Sequence, residues 1–436
     1  MAAAGGAGSP TPTPLPATPT PAGTATSGPT PTAAPSPFVI VSDVADDTFP
    51  QVAFAADQYL MTFNQPGADE RREVLGVRLA TSGEVLDSTP LLLSELDPAV
   101  SQELSEMSYQ QSAVAGGEAG FGVFFAGSGS LRESGAPTQV VGFTSVPTSG
   151  SPVLPATLVD SQVSFSMVQT SITGVSAATS VGSRFTALYQ RVTAATFFPL
   201  PIGQVDGADV VVRDGTVVAD RTYVVFGAGV EEGVLHTAGP GTIASAGSAE
   251  LAVWRETAID GSRPAAPVVQ GVSLRGALRR PAGTTPLSLV DGLDEQGGAA
   301  IGSDGATFLV AWSVGRLATA PPNEIRVLRY LPGDGSDPGT IDPPGGFLVA
   351  DGPKAKSVVG VAHAAGTWLV TWLEEGILRG ARLAPSEPFT ATPFTIYPDP
   401  VSAAALTSDG ERFLVVAERP TELGIEIIGQ FVPATD

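Results

Sequence analysis

The chain has 436 residues, no cysteine and a formal net charge of −22, with 22 basic side chains against 44 acidic ones. The missing thiols exclude a disulfide framework, a thiolate metal centre and a cysteine nucleophile. The acidic balance argues against a nucleic-acid binder, because contact with phosphates needs a basic face.

Residues 1–37 hold ten Pro, eight Thr and no charged side chain. Such a stretch cannot bury enough apolar area to offset its ordering entropy, so it is expected to stay disordered, as a semi-rigid spacer. Residues 38–436 then form a single folded domain. The start resembles the mature end of a bacterial surface lipoprotein, where a lipidated cysteine stands just before a Pro/Thr spacer. The resemblance implies an exported protein of the periplasm or cell surface, with its anchor upstream of residue 1. No membrane insertion of the chain itself is expected. Its longest apolar-looking stretch outside the N-terminus, residues 358–373, is uncharged but falls short of the roughly 20 residues a spanning helix needs and reads as a buried hairpin.

Phe38–Ser42 reads as a strand with no hairpin of its own. Six segments then align over twelve positions without a gap: 52–63, 114–125, 243–254, 301–312, 361–372 and 406–417. A seventh copy, residues 172–189, has a longer turn. Each reads as two short strands around a tight turn. Asp304-Gly305 and Asp409-Gly410 are expected to form two-residue hairpins with both residues at positive φ. The second strand is apolar on both faces, as in Phe308-Leu309-Val310-Ala311-Trp312, so both faces must be covered. A third strand follows, as in Gly76–Leu79, Gly142-Phe143, Gly380–Leu383 and Gly429–Val432. A fourth follows in Pro90–Leu93, Pro286–Leu289 and Phe347–Val349.

The hairpins end at residues 63, 125, 189, 254, 312, 372 and 417. Units this small cannot cover their own faces and must stack on one another. Seven four-stranded antiparallel sheets with aromatic-ended inner hairpins resemble a β-propeller. No signature of a propeller subfamily accompanies the layout. Val218–Phe226 resembles Ala55–Phe63 and leaves eight blades as the alternative to seven. The last unit stops at its third strand, so Phe38–Ser42 is expected to pair beside Ile425–Val432 and close the ring, removing two open edges.

In propellers, ligands usually sit on the face built by the loops after the second strand and between blades. The candidates there are Arg71, Arg72, Arg132, Arg191, Arg255, Glu256, Arg316 and Glu374, with Asp294 and Glu295 between blades. Loops also carry charge simply to stay solvated. His363, on an apolar strand, reads as a core residue, and no Gly-x-Ser-x-Gly motif occurs. Neither Cys ligands nor a His-Glu-x-x-His pattern supports zinc. Asp334 and Asp337 are the only weak match to Ca²⁺ ligands, and no other cofactor is expected. The expected function is a ligand-binding or scaffolding module for a protein or glycan, monomeric and without catalysis. The alternative is a glycan-active hydrolase or lyase using carboxylates or Arg in the central funnel. Converging acids there would favour the enzyme, and a lining of Ala, Gly and Val would favour binding by outer loops.

Overall fold

The computed structural model describes residues 36–435, apart from 46–47, 68, 98–99, 101, 119, 149–154, 165–167, 196–201, 214–215, 232–233, 261–267, 294, 316–320, 335–336, 338, 385–388 and 423. The spacer expected to be disordered lies outside the described residues, but for its last two.

The chain is all-β. It opens with β1 (Phe38–Val44). Blade 1 is β2 (Gln51–Ala55), β3 (Gln58–Pro66), β4 (Arg72–Ala80) and β5 (Leu91–Leu92). Blade 2 is β6 (Leu104–Gly117), β7 (Gly120–Leu131), β8 (Pro137–Val146) and β9 (Thr157–Val163). Blade 3 is β10 (Val168–Val181), β11 (Arg184–Ala195), β12 (Ile202–Arg213) and β13 (Thr216–Phe226). Blade 4 adds a short strand, β14 (Gly229–Glu231), before β15 (Val234–Ala246), β16 (Ala249–Asp260), β17 (Val268–Arg280) and β18 (Gly283–Leu293). Blade 5 is β19 (Glu295–Ser303), β20 (Phe308–Gly315), β21 (Glu324–Leu331) and β22 (Thr340–Ala350). Blade 6 is β23 (Lys356–Ala364), β24 (Thr367–Glu374), β25 (Ile377–Leu383) and β26 (Ala391–Pro400). Blade 7 is β27 (Ala404–Ser408), β28 (Arg412–Thr421) and β29 (Gly424–Pro433), completed by β1.

The seven antiparallel sheets stand in a ring, a seven-bladed β-propeller. The residues that suggested an eighth unit are the outer strand of blade 3 and the start of β15. β1 closes the ring as the repeat arithmetic required: Phe38 pairs with Gly429, Val39 with Ile428, Val41 with Ile427 and Val44 with Ile425. Phe38 also stacks on Phe431, with centroids 5.6 Å apart.

The expected turn chemistry is corrected in one respect. Ser303 pairs with Phe308 and Ser408 with Phe413, so the two Asp-Gly turns are four-residue loops. Only their glycines have positive φ, and the Asp carboxylates instead cap the backbone N–H groups two and three residues on. The Asp side chain mimics a turn of backbone and removes the need for two left-handed residues. Two-residue turns with both residues at positive φ occur instead at Ala56-Asp57, Ala365-Gly366 and Glu375-Gly376.

Among the described residues, one apolar cluster fills each seam between neighbouring blades. The eighth position of the repeat supplies a fully covered aromatic in six blades: Tyr59, Phe121, Phe185, Phe308, Trp368 and Phe413. In blade 4 that position is Glu250, equally buried. The third-strand glycines make room for these layers. A Cβ on Gly142 would sit 2.3 Å from the Phe125 ring.

Each inner strand runs toward its hairpin turn, so the hairpins define one face of the ring, the turn face. The loops after the second strand define the other, the loop face. The inner strands of blades 2, 3 and 4 are 14, 14 and 13 residues long, against 5 for β2 and β27. Their extra length precedes the repeat, so these blades rise above the loop face. Each has a register shift where the extension meets the core, which bends the strand there. Among the described residues, no helix is long and apolar enough to cross a membrane.

Candidate binding site

All seven inner strands line a central cavity of about 570 Å³. Its wall is mostly small: Ala113, Ala177, Gly241, Ala299, Gly360 and Ala405 come from six different blades. Arg255 is the one charged residue among the described lining, beside Gln51 and Gln111. Among the described residues, no carboxylate lines it. The small side chains follow from geometry, because seven strands converging on one axis leave no room for large ones.

A second cavity, of about 620 Å³, opens on the loop face between blades 1 and 2. One wall is the loop after β3, with Asp69 and Arg71, and the start of β4, with Arg72 and Glu73. The other is the start of β6 with Arg132 from the loop after β7. Leu92, Leu96, Leu104 and Met107 give it an apolar floor. Arg71 is half exposed and rests 3.3 Å from Asp69. The Arg72 amide donates to Ser108 Oγ at 3.3 Å, and Arg132 Nη2 donates to the Leu104 carbonyl at 3.1 Å. The segment under the groove is tied down as well: Val74 N–H donates to Ser94 Oγ, and Leu96 bridges to Ala156. Glu106 has φ 57° inside the β6 bulge, which turns the strand at the groove's lip. Tyr109 is buried edge-on against Phe125 at 5.0 Å. Burial, and then the charge of Glu73, push its hydroxyl pKa well up, so it stays a neutral phenol.

The remaining candidates are placed elsewhere. Arg255 faces the central cavity. Arg191 is held between Asp206 at 2.6 Å and Asp160 at 2.8 Å, and its Nη1 donates to Gln162. Glu256 accepts from Arg275 at 3.2 Å and lies 2.6 Å from His236 Nδ1. Glu374 sits 3.1 Å from Lys356 and 3.0 Å from Arg379; burial opposes its charge, but these two cations hold it below the usual carboxylate range. Asp294 and Arg316 lie outside the described residues, as does the side chain of Glu295. His363 is half-buried against Trp368, with ring centroids 4.9 Å apart. In the Asp334–Asp342 loop, Asp337 Oδ1 accepts the Gly339 N–H, and Asp334 and Asp337 are exposed.

Sequence reasoning missed one polar cluster, near the turn face between blades 3 and 4. Arg279 Nη1 lies 2.7 Å from Asp209 Oδ2, and its Nη2 pairs with Glu250. Thr186 Oγ1 donates toward both acids, at 3.0 and 2.8 Å. Arg184 adds a 3.2 Å contact to Glu250, and Arg221 a 3.0 Å contact to Asp209. Tyr223 carries both Arg221 and Arg279 over its ring. Every carboxylate here is matched, so the cluster joins the blades and offers no spare acid or base. The signal that could have found it is the acid at the eighth repeat position, where the other blades keep an aromatic.

The chain is similar to the β-propeller domain of the trilobed protease from Pyrococcus furiosus, at 10% identity over 89% of this chain and 98% of that one, with a TM-score of 0.45. It is similar to a puromycin-hydrolyzing peptidase of Mycobacterium tuberculosis, at 14% identity over 92% and 54% of the two chains, TM-score 0.47. It is also similar to Trypanosoma rangeli sialidase in complex with sialic acid, at 10% identity over 92% and 59%, TM-score 0.44. The chain thus spans little more than half the length of the peptidase and the sialidase. No family model matches it, and no curated protein does.

Proposed function

We propose that the protein is an exported, surface-tethered binding module whose partner docks in the groove between blades 1 and 2. The observation that carries this reading is the contrast between the two cavities. Among the described residues, the central one is lined mostly by small side chains without a carboxylate, whereas the groove gathers Arg71, Arg72 and Arg132 over an apolar floor. β1 runs from the turn face toward the loop face, so Phe38 lies near the turn face and the groove on the other face of the ring.

The groove suits a polypeptide better than a glycan. Sugars are held on exposed aromatic faces, and Tyr109 packs its ring against Phe125. Leu and Met side chains between Arg and Glu suit an extended segment with one apolar anchor flanked by charges; the flexible thioether of Met107 adapts to the anchor's shape. The charged rim sets orientation and on-rate.

Peptide and glycan arrays probed with the purified protein, followed by a turnover screen on whatever binds, test the reading. Peptide binding that falls about tenfold or more in an Arg71→Glu, Arg132→Glu double variant is expected. Binding that survives the double variant, binding to glycans alone, or turnover of a bound glycan would overturn it.

A further inference from the structure

Phe49 is the one exposed aromatic side chain among the described residues, at 42%. It is also the one aromatic among them with positive φ, at 48°. A bulky residue in the left-handed region is strained, and such strain persists only where the surroundings over-determine it. Here a buried carboxylate does so. The Phe49 N–H donates to Glu418 Oε1 at 2.7 Å, and the same oxygen takes the Thr48 hydroxyl. Glu418 Oε2 takes the Ser402 hydroxyl at 2.7 Å, and the side chain is almost wholly covered. From the other side, the Asn64 N–H donates to the Thr48 carbonyl at 2.8 Å. Blades 7 and 1 thus fix the backbone that carries Phe49, while its ring stays open to solvent.

Phe49 stands at the loop-face mouth of the central cavity. Gln51, two residues on, opens β2, and Ala404, two residues past Ser402, opens β27; both line that cavity. At about 570 Å³ it is of the size that takes a small ligand. The side chains of Gln51, Gln111 and Thr242, which line it too, have no hydrogen-bond partner among the described residues. Carboxamides and hydroxyls both donate and accept, as the hydroxyls of a sugar do. Among the described residues no carboxylate lines the cavity to hold a cation, and a net charge of −22 repels anions from the molecule as a whole. An aromatic face on the rim with neutral donors and acceptors below it fits a pyranose, whose C–H groups lie on its faces and whose hydroxyls lie at its edge.

We infer that the mouth of the central cavity is a second binding site, taking the terminal units of a neutral, β-linked oligosaccharide. Phe49 stacks on the face of one ring, and Gln51 meets the hydroxyls of the ring that enters the cavity. Glucose-type units in β linkage suit the site because all their ring substituents are equatorial, which leaves only C–H groups on both faces. The site is separate from the groove of blades 1 and 2 and stands without it.

The test is calorimetric titration of the full chain with cellobiose and N,N′-diacetylchitobiose, with mannitol and acetate as controls. Saturable binding of at least one disaccharide at millimolar concentration is expected, with neither control binding. Phe49→Leu keeps an apolar side chain on the same backbone and removes the aromatic face. It is expected to weaken the sugar about tenfold or more. Phe49→Trp, which keeps an aromatic face, is expected to retain binding, a difference that a merely structural role for the ring would not produce. Failure of both disaccharides to bind, an unchanged affinity in Phe49→Leu, or loss of binding in Phe49→Trp as large as in Phe49→Leu would overturn the inference. So would equal binding of acetate, which would mark an anion site at Arg255, or of mannitol, which has the hydroxyls without the ring face. Arg71→Glu is expected to leave this titration untouched, so the fates of the two sites are read separately.

Discussion

Two seams of the ring solve the same problem in opposite ways. Between blades 4 and 5, fourteen buried apolar residues form one cluster, with Phe308 and Trp312 fully covered. Between blades 3 and 4 the corresponding cluster has seven, and Glu250 stands where the neighbouring blade has Phe308. The missing apolar area is replaced by Asp209, Glu250 and Arg279 with Thr186 and Tyr223 around them. A cavity of about 100 Å³ beside Glu250, Arg279 and Tyr223 shows that the replacement fills the space less completely. An apolar seam is tolerant, because any side chain of about the right volume contributes. An ionic seam is all-or-none, because each buried charge depends on its partner.

The apolar side of this contrast is best broken at the closure. Deleting residues 38–44 removes Ile40 and Val44 from the seam between blades 7 and 1. At the usual value for burying such side chains the loss is about 3–6 kcal/mol, and β29 is left as an open edge. A marked fall in melting temperature is expected, whereas deleting residues 1–36 should leave it unchanged. Equal effects of the two deletions would contradict the closed ring.

The ionic side is broken by Arg279→Leu, which leaves buried Asp209 and Glu250 with only the more exposed Arg221 and Arg184 as cationic partners. Removing one partner of a buried pair costs about 3–5 kcal/mol. Hydrogen exchange should show the loss of protection concentrated in β11, β12, β16 and β17, with blades 6 and 7 unaffected. Glu250→Phe restores the repeat's aromatic while Asp209 keeps both Arg279 and Arg221, so it is expected to change stability by only about 1 kcal/mol, in either direction. A Glu250→Phe loss as large as that of Arg279→Leu would show that the seam cannot be made apolar.

The same contrast explains how much the sequence disclosed. The blades were legible because burial on both faces writes a continuous apolar run, and seven such runs at similar spacing leave few folds open. The closure strand was legible because Phe38–Ser42 had no hairpin partner and the last unit lacked an outer strand. The tall extensions of blades 2–4 were not, since Ser, Thr and Gln along β6 and β10 carry no apolar periodicity. The ionic seam was hidden because its members, from Thr186 to Arg279, are held together by the ring and not by local spacing. For the same reason the candidate arginines separated only in three dimensions: Arg71, Arg72 and Arg132 share a groove, Arg191 is locked between two aspartates, and Arg255 faces the centre.

The smallest effect expected is one of pH, and it concerns carboxylates at the apolar seams. Asp409 is part-buried at the closure. Burial alone would raise its pKa, but the Tyr59 hydroxyl at 2.7 Å, the Arg412 and Glu411 amides and the Arg412 side chain outweigh it and hold it below the usual value. Asp304 is lowered in the same way, against burial, by the Thr307 and Ala306 amides and the Thr307 hydroxyl. A carboxyl whose pKa is lower in the folded state contributes stability above its unfolded pKa, near 4, and loses it as pH falls through the folded value. The melting temperature should therefore be insensitive to these groups above about pH 5 and decline below about pH 4. Tyr59→Phe keeps the ring in the seam and removes one hydrogen bond to Asp409. It brings the folded pKa closer to the unfolded one, so the variant should lose less of its melting temperature than the parent between about pH 4 and pH 3. Parallel declines for the two proteins would show that the phenol does not stabilise the ionised carboxylate, and that the caps of the Asp409 turn act without it.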